Sequence, residues 1–216
     1  MDATNQPLPV LLANAAGLHS LSLGLMATEP TQPWFDEVRR ARRGDPHAFA
    51  ALVRAVQRPV FGLCLRLLRT DAEASEVAQE TFLRAYQNLD RYDDQRPFDL
   101  WVLTIARNLC FDVLRKRSRV QTEDVDEHAQ VLPSGEVSVE EHAILNQERQ
   151  SLEEAMATLS ADDREVLALY YVQKRTTKEI AQVMSVAPGT IMARLFRARE
   201  KLRTRMQAAG TSRGAA

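Results

Sequence analysis

Aromatic residues make up only 6% of this 216-residue chain, which has just two cysteines and four histidines. Cys64 and Cys110 are far apart, each inside an apolar helical stretch (FGLCLRLL and IARNLCFDVL). That usage fits buried thiols in a reducing cytoplasm, where the chain is expected to reside. His19, His47, His128 and His142 fall at no metal-ligand spacing, so no metal is assigned. There is no glycine-rich phosphate loop and no nucleophile–base set. This argues against an enzyme and leaves no catalytic residue and no cofactor to name. The opening MDATNQPLPVLLANAAGLHSLSLGLMATEPTQP has neither a basic leader nor a long apolar run. It reads as neither signal peptide nor membrane span, and no membrane insertion is expected. Residues 1–33 are expected to form a disordered or weakly helical extension, with Met26 as an alternative start.

A bulk charge of one sign is also missing. The formal net charge is −1, which argues against coating nucleic acid by overall charge but not against a local field. The distribution is uneven. Residues 120–150 hold eight acids and one base, whereas residues 191–206 hold six bases (Arg194, Arg197, Arg199, Lys201, Arg203, Arg205) and one acid, Glu200.

What is present is helical periodicity, and the fold class expected is all-α. Two small helical domains are expected, joined by a flexible acidic linker. The patterning starts at Trp34 with a short helix, a GDP break, and a long helix from Pro46 to Leu68. Phe49, Leu52, Val53, Val56, Val60, Cys64, Leu67 and Leu68 share its apolar face at steps of three and four. Pro59 inside this run is expected to kink it. A third helix follows from Ala72, with Val77, Ala78, Thr81, Phe82, Ala85, Tyr86 and Leu89 inward. RYDDQRP is a polar loop. A fourth helix, with Pro97 in its first turn, has Leu100, Trp101, Ile105, Leu109 and Val113 as expected core. It closes the first domain, residues 34–119, and ends in Arg115, Lys116, Arg117 and Arg119. Residues 120–143 read as linker.

The second domain, residues 144–207, starts with an amphipathic helix through Leu145, Leu152, Ala155 and Leu159. SADDREVLALYYVQK follows, with Ser160 as N-cap. Thr176 and Glu179 form a capping box, and residues 208–216 are expected to be a disordered tail. TTKEIAQVMSVAPGTIMARLFRAREKLR has the order of a helix-turn-helix. Ile180, Ala181 and Met184 point inward on the first helix, Val186 covers the turn, and Ile191, Leu195 and Leu202 anchor the second. This geometry lets the outer face of the second helix enter a major groove. Arg194, Arg197, Arg199 and Arg203 are expected to be exposed there, where arginine can bond phosphates or fork to guanine.

Four stretches together resemble the bacterial extracytoplasmic-function (ECF) sigma factors over roughly residues 36–206. They are GDPHAFAALVRAVQRPVFGLCLRLL, ASEVAQETFLRAY, FDLWVLTIARNLCFDVLRKRSR and the helix-turn-helix. The resemblance implies a factor that binds core RNA polymerase, at the clamp of the largest subunit and the flap of the second-largest. It would direct the enzyme to minus-ten and minus-thirty-five promoter elements. Glu76, Gln79, Glu80 and Arg84 match the polymerase-binding face. By the same resemblance, loop 91–98 and the start of the next helix form the pocket for flipped minus-ten bases, with Arg96, Arg107, Asn108, Arg115 and Lys116 toward that strand. Arg117 and Arg119 would also track its phosphates. An amide such as Asn108 can pair with a base edge as donor and acceptor. Thr190, Arg194, Phe196, Arg197 and Arg199 match the minus-thirty-five face. An anti-sigma partner is implied as well.

The chain departs from the family pattern at Ser75, Asp99, Leu103, Thr104, Met192 and Ala193. Trp101 reads as core rather than as a base-stacking residue. Two rival readings remain on sequence alone: a stand-alone helix-turn-helix regulator that binds duplex DNA without polymerase, and an interaction adaptor that has lost DNA contact.

Overall fold

The computed structural model describes residues 34–120 and 151–213, with side chains to Arg119 in the first span and to Gln207 in the second. Residues 1–33 and 121–150, and with them the expected extension, linker and Leu145, lie outside the described residues. The chain divides into two compact units, and among the described residues every regular element is helical.

The front unit contains α1 (Phe35–Arg42), α2 (Pro46–Leu68), α3 (Asp71–Gln87), a 3-10 turn (Leu89–Arg91) and α4 (Phe98–Val120). The GDP break works as its chemistry demands. Gly44 takes φ +87°, a conformation that favours glycine. Asp45 caps α2 by accepting from the backbone N–H groups of His47 (2.9 Å) and Ala48 (3.2 Å). Pro46 occupies a first-turn position whose missing N–H costs nothing there. The helix runs on through Pro59. Length and composition would let α2 cross a membrane. Here α1, α3 and α4 all pack on it, and Leu52, Val60, Leu63, Cys64, Leu67 and Leu68 are fully buried. Each such leucine contributes about 1.5–3 kcal/mol of transfer free energy. Thr81, buried on α3, donates to the Val77 carbonyl at 2.7 Å, so its hydroxyl is satisfied.

Two expectations shift in this unit. The inner face of α4 is Leu103, Ala106 and Cys110, with Leu100, Val102 and Leu109, while Trp101, Ile105 and Val113 are half-buried. α4 carries two adjoining apolar stripes, and small Ala106 lets the neighbouring helices approach on one of them. Trp101 instead joins a ring cluster with Tyr92 (5.0 Å between centroids) and Phe98 (5.7 Å). Tyr86, expected inward on α3, is 52% exposed. Pro97 precedes α4 by one residue, and its carbonyl accepts from the Trp101 N–H at 3.2 Å.

The rear unit contains helical residues 151–157 (α5), α6 (Ala161–Leu167), a π-helical segment (Ala168–Val172), α7 (Thr177–Met184) and α8 (Pro188–Arg213). Ser160 caps α6 by accepting from the Asp163 N–H at 3.2 Å. After α6 the helix widens into the π segment, where the Gln173 N–H reaches the Ala168 carbonyl at 3.0 Å. The capping box of α7 forms in both directions. The Thr176 N–H donates to Glu179 (2.7 Å) and the Glu179 N–H donates to the Thr176 hydroxyl (3.3 Å). α7 ends in a Schellman motif: the Val186 N–H reaches the Ala181 carbonyl (3.0 Å), the Ser185 N–H reaches the Gln182 carbonyl (3.3 Å), and Ser185 has φ +54°. α8 runs to Arg213, past residue 207, after which the tail was expected to begin.

Candidate nucleic-acid and partner surfaces

α8 is oriented by Ile191, Leu195, Ala198 and Leu202, all buried at steps of four, three and four. These hold it against α6. The opposite face is therefore fixed. It presents Met192 (61% exposed), Ala193, Phe196 (65% exposed) and Arg197, followed by Arg203 and Arg205 further along.

Two arginines expected on that face are held by their own domain. Arg199 is half-buried, its guanidinium 5.4 Å from the centroids of both Tyr170 and Tyr171. Arg194 is half-buried, with Nη1 3.9 Å from a carboxylate oxygen of Asp162. Position 199 adjoins buried Ala198 and follows Leu195 by about one turn, which brings its guanidinium over the rings of the π segment. Thr190 is half-buried at the start of α8, where its N–H donates to the Ala187 carbonyl at 2.9 Å. Lys201 reaches Asp163 at 2.5 Å, and Arg203 pairs with Glu200 at 2.9 Å.

On the front unit, Glu76 and Gln79 are exposed on α3, and Glu80 pairs with Arg84 at 2.7 Å one turn on. Leu83 (51% exposed) and Tyr86 lie beside them. The sequence reading missed this apolar patch because Tyr86 also fits the inner period. The Tyr86 ring packs edge-on against Phe49 of α2, 5.0 Å between centroids, which fixes its direction.

Around loop 91–98, Arg96 and Asn108 are exposed, and Arg96 lies 3.7 Å from Asp93. Arg107 covers the Phe111 ring at 4.5 Å and donates to the Asn108 side-chain oxygen at 3.4 Å. Lys116 is exposed, and Arg115 pairs with Asp112. Arg117 departs from expectation. It forks onto Glu73 of α3 and donates to the Leu68 carbonyl at 3.3 Å, so it ties α4 to α3 rather than tracking phosphates. Burial, reinforced by Asp94 and Asp99, pushes the Tyr92 phenol up to about 12, so it stays a proton donor. Among the described residues no three His, Cys, Asp or Glu side chains assemble as a metal site.

A helical front unit with a polar and apolar outer face, and a rear unit ending in a capped helix-turn-helix, define a bimodular DNA-binding protein of the all-α class. Residues 52–120 match sigma-70 region 2, and residues 149–202 match sigma-70 region 4. The chain is 30% identical over 178 residues to the ECF RNA polymerase sigma factor SigW of Bacillus subtilis, covering 79% of this chain and 95% of that one. It is 32% identical over 177 residues to the ECF RNA polymerase sigma-E factor of Escherichia coli, covering 79% and 92%. A solved structure of the sigma factor RpoE with the anti-sigma factor NepR, from Bartonella quintana, is similar at a TM-score of 0.62 and 25% identity. That similarity covers 74% of this chain and 96% of that one. The chain belongs to the ECF family of RNA polymerase sigma factors.

Proposed function

We propose that this sigma factor recruits core RNA polymerase through the outer face of α3, reads the minus-thirty-five element with α8, and captures the melted minus-ten strand beside loop 91–98. It acts by binding, with no covalent step of its own, in the cytoplasm. The observation that carries the reading is the exposed face of α8, Met192–Phe196–Arg197, held outward by a buried apolar stripe. Arg197 supplies the guanidinium suited to a phosphate or a guanine edge, and Phe196 supplies an apolar contact for a thymine methyl.

On α3, Glu76, Gln79, Glu80 and Arg84 frame an apolar patch of Leu83 and Tyr86. A polar rim around an apolar centre is the anatomy of a protein–protein contact. The partner there is the polymerase clamp, with the rear unit engaging the flap. An anti-sigma factor that covers these faces controls their availability; a sigma factor of similar fold is bound to one in a solved structure.

Run-off transcription with core polymerase tests the reading. Specific transcripts that need both core enzyme and this chain are the expected result. Tight duplex binding without polymerase, and no added transcript, would instead mark a stand-alone regulator.

A further inference from the structure

Arg42, the last residue of α1, reaches across the front unit to the 3-10 turn and the loop that follows it. Its Nε donates to the Leu89 carbonyl at 3.0 Å, Nη1 to the Asp94 carboxylate at 3.0 Å, and Nη2 to the Tyr92 carbonyl. The same guanidinium lies over the Tyr92 ring, 5.8 Å from its centroid. One half-buried side chain thus holds three acceptors some fifty positions further along the chain. Only a planar fork of several donors can do so.

The remainder of the loop is tied down from within. The buried Tyr92 phenol donates to the Arg96 carbonyl. Asp93 accepts from the Gln95 N–H at its carboxylate and from the Arg96 N–H at its carbonyl, each at 3.0 Å. Below sits the Tyr92–Phe98–Trp101 ring cluster. With the backbone held at residues 89, 92 and 96, the side chains of Gln95, Arg96 and Pro97 remain exposed.

We propose that Arg42 is a positioning residue for strand capture. It presets the loop so that Arg96 meets the displaced single strand without first having to be ordered, which removes an entropic cost from binding. The inference rests on the reading that this loop borders the strand-capture pocket. Lysine at 42 would keep the charge but lose the fork, leaving loop carbonyls without their donor.

The test uses reconstituted holoenzyme and a fluorescent single-stranded oligonucleotide from a promoter active in the run-off assay. Strand affinity, core-polymerase affinity and permanganate-detected opening are measured for wild type, Arg42→Lys, Asp94→Asn, Arg96→Ala and the Arg42→Lys/Arg96→Ala double variant. Arg42→Lys should lose about tenfold in strand affinity and in opening. Its core affinity should stay within about twofold of wild type. The double variant should lose no more than the worse single. Asp94→Asn keeps both carbonyl contacts and should show a smaller loss of the same kind, even if Arg42→Lys folds poorly. Unchanged strand binding in both Arg42→Lys and Asp94→Asn overturns the role, as does an equal loss in core and strand affinity or an additive double variant. A wild type that yields no run-off transcript from any promoter, and so supplies no promoter strand to test, overturns the proposed function and this role together. A competent wild type beside insensitive variants overturns only the role of Arg42.

Discussion

The guanidinium of Arg199 on α8 lies 5.4 Å from the ring centroids of both Tyr170 and Tyr171, on the π-helical segment. A cation over two rings, half-buried, is part of the rear unit's own packing. The basic run on α8 therefore divides into arginines that hold the domain and arginines free to face a groove.

Two substitutions only two positions apart, on different faces of α8, should separate these roles. Arg199→Ala should destabilise the rear unit by about 0.5–2 kcal/mol, seen as a lower midpoint in thermal denaturation. Arg197→Ala should leave that midpoint in place and weaken specific promoter binding by about 1–3 kcal/mol, read by anisotropy with holoenzyme. Identical profiles for the two variants would contradict the division.

The turn of the helix-turn-helix should be improvable. Ser185 stands at the left-handed position of a Schellman motif, with φ +54°, where a side chain costs about 1 kcal/mol. Ser185→Gly should raise stability by roughly that amount. Urea denaturation is the check, with the slope unchanged and the midpoint moved upward.

The apolar patch on α3 should carry polymerase affinity. Leu83 is half-exposed, so Leu83→Ser should cost the fold little and weaken core-polymerase binding by about 1–2 kcal/mol. Tyr86→Ala should lose at least as much binding, and in addition the edge-on packing against Phe49, worth about 0.5–1.5 kcal/mol. Native binding by Leu83→Ser in a sizing-column or interferometry assay would remove the patch from the interface.

Acid should loosen the α1–α2 corner. The Asp45 carboxyl is held below its ordinary value of 3.8, first by the Arg40 side chain and then by the Ala48 and His47 N–H groups. A lowered folded value means the unfolded chain takes up the proton first as pH falls. The stabilisation is complete above 3.8 and disappears as pH drops through the depressed folded value. Asp45→Asn keeps a capping oxygen but no titration. Its melting midpoint should therefore fall less steeply with acid than that of wild type, as followed by circular dichroism.

Caps and breaks were legible in the sequence because their chemistry is local. Asp45 before Pro46, Ser160 before an acidic turn, and Thr176 with Glu179 each bond within a few residues, and α2 keeps the bounds its period indicates. The helix-turn-helix was legible for the same reason. The inner face of α4 was legible only in part: Leu100, Leu109 and Cys110 are buried as expected, whereas Trp101, Ile105 and Val113 are half-buried, because two apolar stripes share one period and only the shape of α2 and α3 selects between them. Tyr86 was misplaced on the same ground. Arg194, Arg199 and Arg117 looked like free bases because their partners (Asp162, the Tyr170–Tyr171 pair and Glu73) come from other helices.

By itself, then, the sequence determined where helices begin and stop, that they form two modules, and which family they resemble, since backbone caps and short-range periodicity depend on near neighbours in the chain. Tertiary structure alone decided which charges face outward and which are consumed in packing, and that Arg42 grips a loop some fifty positions away. Such pairings depend on the spatial approach of side chains that no local spacing encodes.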